Sequence, residues 1–236
     1  MTKHLTLRPG AVAAVLTGDI IGSTELEPKR LLAARQSVLQ VTARFEQAHP
    51  GIVPGKPDFF RGDAWQLLLA DPRLALRVAL LIRATLRGEL DLDTRIAIGI
   101  GTVDLVNPTR LSLSTGEAFT LSGHALDHMT GYFDLTAALP ARAGALAQWV
   151  QVAIHLSSGL VRSWTQRQAE IFASALTLDT PTHERIAAAL SPPVTKQTVT
   201  DSLKGANWRT LLEPIRAFES MDWQGIGGAR ADNETG

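Results

Sequence analysis

Two Gly-Asp pairs, far apart in the sequence, each end an apolar or aromatic run. Asp19 follows the run at residues 11–16, and Asp63 follows the aromatic pair at residues 59–60. A run that stops at such a pair is typical of the end of a strand, so both carboxylates are expected at the ends of neighbouring strands. Mg²⁺ binds few protein oxygens and completes its shell with phosphate oxygens of a nucleotide. The pattern therefore favours a site for Mg²⁺ or Mn²⁺ on Asp19 and Asp63, and the alternative is that each pair only forms a tight turn.

The composition excludes several classes of site. The 236 residues include no cysteine, which rules out disulfides, zinc–thiolate sites and thiol catalysis. The 23 basic and 23 acidic side chains cancel, so the chain as a whole exerts no general attraction on nucleic acid or anionic membranes. No apolar run approaches the roughly 18 residues of a membrane span, and the N-terminus has no apolar signal core. We therefore expect a cytoplasmic protein that does not enter the membrane.

Strands and helices alternate in the first part of the chain. The patterns predict a strand at 11–16, a helix at 28–47, a hairpin at 58–69 that turns at 61–63, a helix from Pro72 and a strand at 95–103. This is the βαββαβ order of the ferredoxin-like unit. A helix at 118–129 and a strand at 132–139 follow. The fold class is therefore predicted to be α+β.

The rest of the chain is predicted to be helical. A long connecting helix is expected at 141–164, and shorter helices are expected at 166–176, 183–190, 196–206 and 208–220. The predicted organisation is a first domain at 1–140, the connecting helix at 141–164, a small all-α domain at 165–222 and a flexible tail at 223–236. The tail is rich in glycine and polar residues, which favours a loose conformation.

Four segments resemble, in order, the motifs of class III nucleotidyl cyclases. They are LTGDIIGST (16–24), FRGDAW (60–65), RIAIGIG (95–101) and GEAF (116–119). With the helical end included, the chain resembles SatD-type proteins, in which a cyclase-like domain precedes a helix-turn-helix. The resemblance covers residues 11–139 and implies that Asp19 and Asp63 ligate metal. It also implies that Ile20 lends a carbonyl, that the Gly22-Ser23-Thr24 turn presents helix N-terminal amides to phosphates, and that the chain forms a homodimer.

The chain departs from the cyclase pattern at the residues that drive catalysis. Phe59 stands where the family has an adenine-reading lysine, so we expect it in the base pocket. Thr120 and His124 stand where the family has an asparagine and an arginine. Loss of a transition-state arginine costs about 10³-fold or more in phosphoryl transfer, so nucleotide binding is expected rather than efficient cyclisation. His124 and His128, one helical turn apart, are a possible two-histidine metal grip, but the spacing supplies no third ligand and ordinary histidines are favoured.

The helical end resembles the helix-turn-helix of sigma region 4 and LuxR-type regulators. Its second helix would enter the major groove. The predicted DNA contacts are Thr195, Lys196, Gln197, Thr198, Thr200, Lys204 and Arg209. Two features argue against DNA binding: the turn at 191–194 is about two residues longer than the tight form of this motif, and the segment from Gln151 has eight basic and nine acidic residues. The alternative is therefore a helical module for protein contacts or packing.

The leading hypothesis is a regulatory protein that binds DNA through its helical end. Its cyclase-like domain would dimerise, sense a nucleotide-type ligand, or do both. A second hypothesis is a divergent metal-dependent nucleotidyl cyclase or nucleotidyl transferase that uses Asp19 and Asp63. A third is an interaction or scaffold protein without either activity.

Overall fold

A five-stranded sheet forms the centre of the computed structural model, which describes residues 7–177 and 181–227. The strands are β1 (Ala11–Ile20), β2 (Asp58–Phe60), β3 (Ala64–Leu69), β4 (Thr94–Val103) and β5 (Leu135–Ala138). Their order across the sheet is β2-β3-β1-β4-β5. Neighbouring strands are antiparallel, except that β4 and β5 are parallel. The architecture is mixed α and β.

Eight α-helices accompany the sheet in the described part of the chain. They are α1 (Pro28–Ala48), α2 (Ala75–Leu90), α3 (Glu117–Asp127), α4 (Ala145–Arg162), α5 (Gln166–Thr177), α6 (His183–Ala189), α7 (Lys196–Gly205) and α8 (Trp208–Ser220). The helix expected from residue 141 begins only at Ala145, because Gly144 adopts a positive φ of 55° and separates it from a short 3₁₀ turn. Among the described residues, no helix combines the length and the apolar character that a bilayer crossing requires.

The two faces of the sheet bury different sets of side chains. Along β1, even-numbered residues such as Leu16 pack into the large core that contains α1 and α2. Odd-numbered residues such as Val15 pack with Phe119 in a smaller cluster under α3. Strand side chains alternate between faces, so the apolar run of β1 is buried on both sides. Asp19 belongs to the odd-numbered set and therefore faces the α3 side of the sheet.

The helical end packs directly onto α2. A Cβ added to Gly88 of α2 would lie 2.8 Å from the backbone nitrogen of Glu170 in α5, so the two helices touch closely. Buried side chains of α5, α7 and α8 join the same large core as the sheet, among them Phe172, Leu203 and Ile215. One hydrophobic core therefore runs from the sheet into the helical end.

The tail predicted from residue 223 is packed at its start. Trp223 is 2% exposed, and its indole N–H donates to the carbonyl of Phe218 at 2.9 Å. Ile226 is also buried. The polar composition of the tail predicted a loose segment, but these two apolar side chains anchor residues 223–227. Residues 228–236 lie outside the described part.

Candidate functional site

The register of the sheet places Asp19 beside Arg95. Asp19 on β1 lies opposite Ala64 of β3 and Arg95 of β4. Directly opposed residues in an antiparallel pair share a face. Arg95 Nε donates to Asp19 Oδ1 at 2.8 Å, and Arg95 Nη2 donates to Asp19 Oδ2. Arg95 thus forms a two-pronged ion pair with Asp19, a strong geometry for a carboxylate.

Asp63 reaches the same end of the sheet from the β2–β3 turn. It precedes Ala64, the residue opposite Asp19. Ser23, just after β1, donates its hydroxyl to Asp63 Oδ2. The hydrogen bond from Arg95 to Asp19 is the main cause that raises the pKa of Arg95, and the charges of Asp134 and Asp63 also raise it. The structure therefore brings Asp19 and Asp63 to one edge, where both act on a single guanidinium.

Gly18 and Trp65 fix the backbone at this edge. Trp65 is fully buried and lies opposite Gly18. A Cβ on Gly18 would lie 2.6 Å from Trp65 Cζ2 and 2.5 Å from the carbonyl oxygen of Arg95, so only glycine leaves room for the indole. Trp65 Nε1 donates to Thr94 Oγ1 at 3.0 Å, and that hydroxyl donates to the carbonyl of Asp19 at 2.6 Å. Trp65 is therefore a core residue, and through Thr94 it holds the main chain of Asp19 in place.

The predicted phosphate-binding turn differs from the expected helix end. Residues Ser23–Glu25 form a 3₁₀ turn after Gly22, which has a φ of 70°. The long helix α1 begins only at Pro28, since proline favours the first helical position. The amides at Gly22, Ser23 and Thr24 are therefore not the N-terminus of α1. Within residues 7–177 and 181–227, these three N–H groups donate no hydrogen bond, so they remain available to a ligand.

Phe59 lies on the other face of the sheet from Asp19. It pairs with Trp65 across the β2–β3 hairpin, and paired residues share a face. The half-buried ring packs against the large core, with the Arg35 guanidinium 5.6 Å from its centroid. Arg35 also donates to the carbonyl of Gly62 in the hairpin turn. The structure thus does not bring Phe59 together with the two aspartates.

Thr120 and His124 are exposed on α3. The Thr120 hydroxyl donates to the carbonyl of Gly116 at 3.3 Å, and the His124 carbonyl lies 2.8 Å from His128 Nδ1. His128 is thus engaged by the main chain. Across the described residues, no group of three or more His, Asp or Glu side chains gathers in a way that could hold a metal ion.

The two aspartates supply the right chemistry for a hard cation, with one obstacle. Carboxylate oxygens are the ligands that Mg²⁺ and Mn²⁺ prefer. Both oxygens of Asp19 already accept hydrogen bonds from Arg95, whereas Asp63 uses one oxygen with Ser23. The donor set therefore fits a divalent cation provided that Arg95 leaves Asp19.

A buried ion network lies behind this edge, and the sequence analysis did not identify it. Arg83 of α2 is 0% exposed and donates to Asp93 at 2.6 and 2.9 Å and to Asp134 at 3.1 Å. Arg162 of α4 donates to Asp134 at 2.6 and 2.8 Å. Burial raises the pKa of Asp134, but the Arg162 hydrogen bond and the charges of Arg83 and Arg162 hold it below its ordinary value. The backbone of Asp93 accepts from Ile21 at 3.0 Å, which ties the network to the end of β1.

The structure confirms the predicted helix starts at His183 and Lys196, and a threonine caps each of these two helices. Thr182 accepts from the backbone of Arg185 before α6, and Thr195 accepts from the backbone of Thr198 before α7. The cause is the Thr side-chain oxygen, which satisfies a free amide in the first turn.

Of the seven side chains predicted to contact DNA, five interact with other side chains of the protein and two do not, within the part of the chain that the structure describes. Lys196 Nζ lies 2.6 Å from Glu184 Oε1, and Gln197 donates to Asp201 at 2.9 Å. The three threonines of this set form hydrogen bonds within the module: Thr195 bonds to Thr198 at 2.9 Å, and Thr200 bonds to His183 at 2.7 Å. Lys204 and Arg209 are exposed at the end of α7 and the start of α8, and neither forms a salt bridge within the described ranges.

Comparison with known proteins gives a weak structural likeness. No protein-family model matches the chain, and no curated protein matches it. Among solved structures, the crystal structure of the guanylyl cyclase Cya2 is similar, with 19% sequence identity over 58% of this chain and 78% of that chain and a TM-score of 0.38. The chain thus has a guanylyl cyclase as a structural neighbour, at a low TM-score.

Proposed function

We propose that this chain is a regulatory protein that binds a nucleotide-type ligand at the Asp19–Asp63 edge and contacts DNA through its helical end. In this proposal β1 to β4 with α1 and α2 form a ferredoxin-like βαββαβ unit of the cyclase type, and α6 and α7 form a helix-turn-helix. The observation that carries the proposal is the meeting of Asp19 and Asp63 at one edge beside Arg95.

Binding without efficient turnover is the function that this edge supports best. A divalent cation on Asp19 and Asp63 would neutralise the phosphate oxygens of a bound nucleotide. The amides of Gly22, Ser23 and Thr24 are free to donate to the same phosphates. Thr120 has no side-chain amide, and His124 has no guanidinium. The cyclase pattern uses these two groups in catalysis. When no divalent cation is bound, Arg95 would occupy the carboxylate of Asp19 instead.

Mn²⁺ binding to the purified protein tests the edge without any nucleotide. We expect Asp63→Asn to weaken Mn²⁺ binding about tenfold, because the charge count of the ligands sets cation affinity. We expect Arg95→Gln to tighten it about two- to fivefold, since a partly exposed ion pair that competes for Asp19 is removed. Free Mn²⁺ is measured by electron paramagnetic resonance during the titration.

Asp104→Asn is the matched control, because Asp104 is an exposed carboxylate just beyond the opposite end of β4. Its Mn²⁺ affinity should equal that of the wild type. Equal affinities for Asp63→Asn and Asp104→Asn would contradict the proposed site. Addition of ATP or GTP with Mn²⁺ then separates binding from turnover: a cyclic product that disappears in Asp63→Asn would establish the enzyme alternative instead.

The exposed face of α4 supports the proposed homodimer. Trp149, Val152 and Leu156 are 72%, 47% and 69% exposed, and their spacing places them on one face of the helix. Residues 143–161 contain no Asp, Glu, Lys or Arg. An uncharged face meets no like-charge repulsion from its own copy, which suits a two-fold interface in which the same patch occurs on both subunits. A two-fold dimer would also present two copies of α7 to a symmetric DNA site.

Replacement of Trp149 by glutamate should shift the protein to monomers. We expect the dimer dissociation constant to rise about 30-fold, as for removal of an aromatic anchor from the centre of an interface. Sedimentation velocity over a concentration series measures it. Leu32→Glu on α1 is the control, since Leu32 is also a half-exposed apolar side chain at 53%. Wild-type protein that stays monomeric throughout the series would refute the proposed dimer.

A further inference from the structure

Only some of the basic side chains in the helical end are paired with an acidic side chain. Arg167 pairs with Glu170, and Lys196 pairs with Glu184. Within the described parts of α5 to α8, the cations that form no salt bridge or hydrogen bond through their charged groups are Arg185, Lys204, Arg209 and Arg216. The near-zero charge of this segment therefore hides a local excess of positive charge.

Three of these four cations line one cleft between α7 and α8. The cleft has a volume of about 710 Å³, and Lys204, Arg209 and Arg216 contribute to its wall. Leu203 and Trp208 form apolar parts of the lining, and Glu213 is the single acidic residue among the lining side chains. Its volume lies within the range of about 300–1,000 Å³ that is usual for ligand sites. The charge suits phosphate groups, and the volume is large enough to admit them.

The outward face of α7 presents less uncompensated positive charge to an anion than the cleft does. Its first cation, Lys196, is neutralised by Glu184, and Gln197 is held by Asp201. A module with no net positive charge can attract nucleic acid only through locally uncompensated cations. In this module three of the four such cations lie in the cleft, and none of the four lies at the start of α7.

We infer that the α7–α8 cleft docks phosphate groups of a DNA backbone on Lys204, Arg209 and Arg216. This inference rests on the proposed DNA contact and assigns its phosphate-binding surface. Contacts to phosphates fix the position and orientation of a protein on the duplex but do not read the sequence. The cleft therefore sets how α7 approaches the groove, and base contacts remain with other side chains.

The salt dependence of binding gives a quantitative test. Three neutralised phosphates per copy predict a slope of log K against log [salt] of about −2.7. Between about 50 and 200 mM salt, binding by one copy then falls about 40-fold. Removal of one cation makes the slope shallower, at about −1.8. The same salt step then reduces the binding constant only about 12-fold.

The experiment uses the full chain and a fluorescein-labelled random-sequence duplex of about two helical turns. Fluorescence anisotropy over a salt series gives the slope for Lys204→Gln, Arg209→Gln and Arg216→Gln. The matched control is Arg185→Gln, an uncompensated cation outside the cleft, and Lys196→Gln tests the competing assignment of phosphate contact to the start of α7. All five side chains are exposed, and thermal melts check that each variant is folded.

The expected result is a slope whose magnitude falls by about 0.9 in each cleft variant and is unchanged in Arg185→Gln. If Lys196→Gln or Arg185→Gln reduces the slope and the cleft variants do not, the cleft inference is wrong while the DNA function stands. If the wild-type protein does not bind the duplex even at low salt, both the cleft inference and the proposed DNA function are wrong. A parallel calorimetric titration with pyrophosphate separates the sources: pyrophosphate binding that depends on the cleft residues, without duplex binding, would overturn DNA as the source of the phosphate.

Discussion

Replacement of Arg83 by methionine should lower the free energy of unfolding by about 3–5 kcal/mol, the cost of removing one partner from a buried ion pair. Arg83 is fully buried, and its guanidinium joins Asp93 to Asp134. Methionine fills much of the same space, but it leaves two carboxylates without this shared cation. Asp93 keeps Arg87, and Asp134 keeps the more exposed Arg162. Urea unfolding followed by circular dichroism gives the free-energy difference.

Arg44→Met is the matched control for this prediction. Arg44 lies 3.6 Å from Glu89, and both side chains are largely exposed at 59% and 44%. Such a surface pair is worth about 0–1 kcal/mol. The double variant Arg83→Met with Asp134→Asn should recover part of the loss, because it removes one of the two carboxylates that have lost the Arg83 cation. Equal losses in Arg83→Met and Arg44→Met would show that the buried network does not stabilise the fold.

Local signals in the sequence predicted most of the elements. The cap at Thr182 and the proline at the start of α1 each act within one helical turn, so a single sequence suffices to find them. The Gly-Asp pairs lie near strand ends as predicted, but β1 continues past the predicted end at residue 16, through Gly18 and Asp19, to Ile20. Where the chain departs from the predictions, as at Gly144 and Trp223, one side chain or one backbone angle overrides the local pattern.

The pairings at the site needed information that the sequence does not display. Arg95 meets Asp19 only because β1 and β4 align in one particular register, and the residues are 76 positions apart. A shift of one residue would send Arg95 to the other face. The face of Phe59 depends in the same way on its pairing with Trp65. The pattern located the two aspartates, but it did not indicate that Arg95 binds the carboxylate of Asp19.

Helix α3 lies against the sheet where β4 has glycines in place of side chains. A Cβ added to Gly99 would run into the carbonyl oxygen of Ala118 and lie 2.5 Å from the amide nitrogen of Ser122. At this contact Thr17 Oγ1 and Ser122 Oγ form a buried hydrogen bond of 2.8 Å, and Gln66 donates to the same Thr17 hydroxyl at 3.1 Å. The absence of a side chain at Gly99 therefore sets the distance between α3 and the strand that carries Arg95.

Gly99→Ala should therefore destabilise the protein by about 3 kcal/mol, at the upper end of the usual cost of overpacking, because the obstacle is helix backbone and not a flexible side chain. Gly123→Ala on α3 should have the opposite sign. A Cβ at Gly123 meets no atom within 4 Å, and alanine stabilises a helix interior by about 0.5–1 kcal/mol relative to glycine. Both values come from urea unfolding. A Gly99→Ala protein as stable as the wild type would mean that α3 moves away from the sheet without loss, and the Thr17–Ser122 hydrogen bond could then contribute little to holding β1 and α3 together.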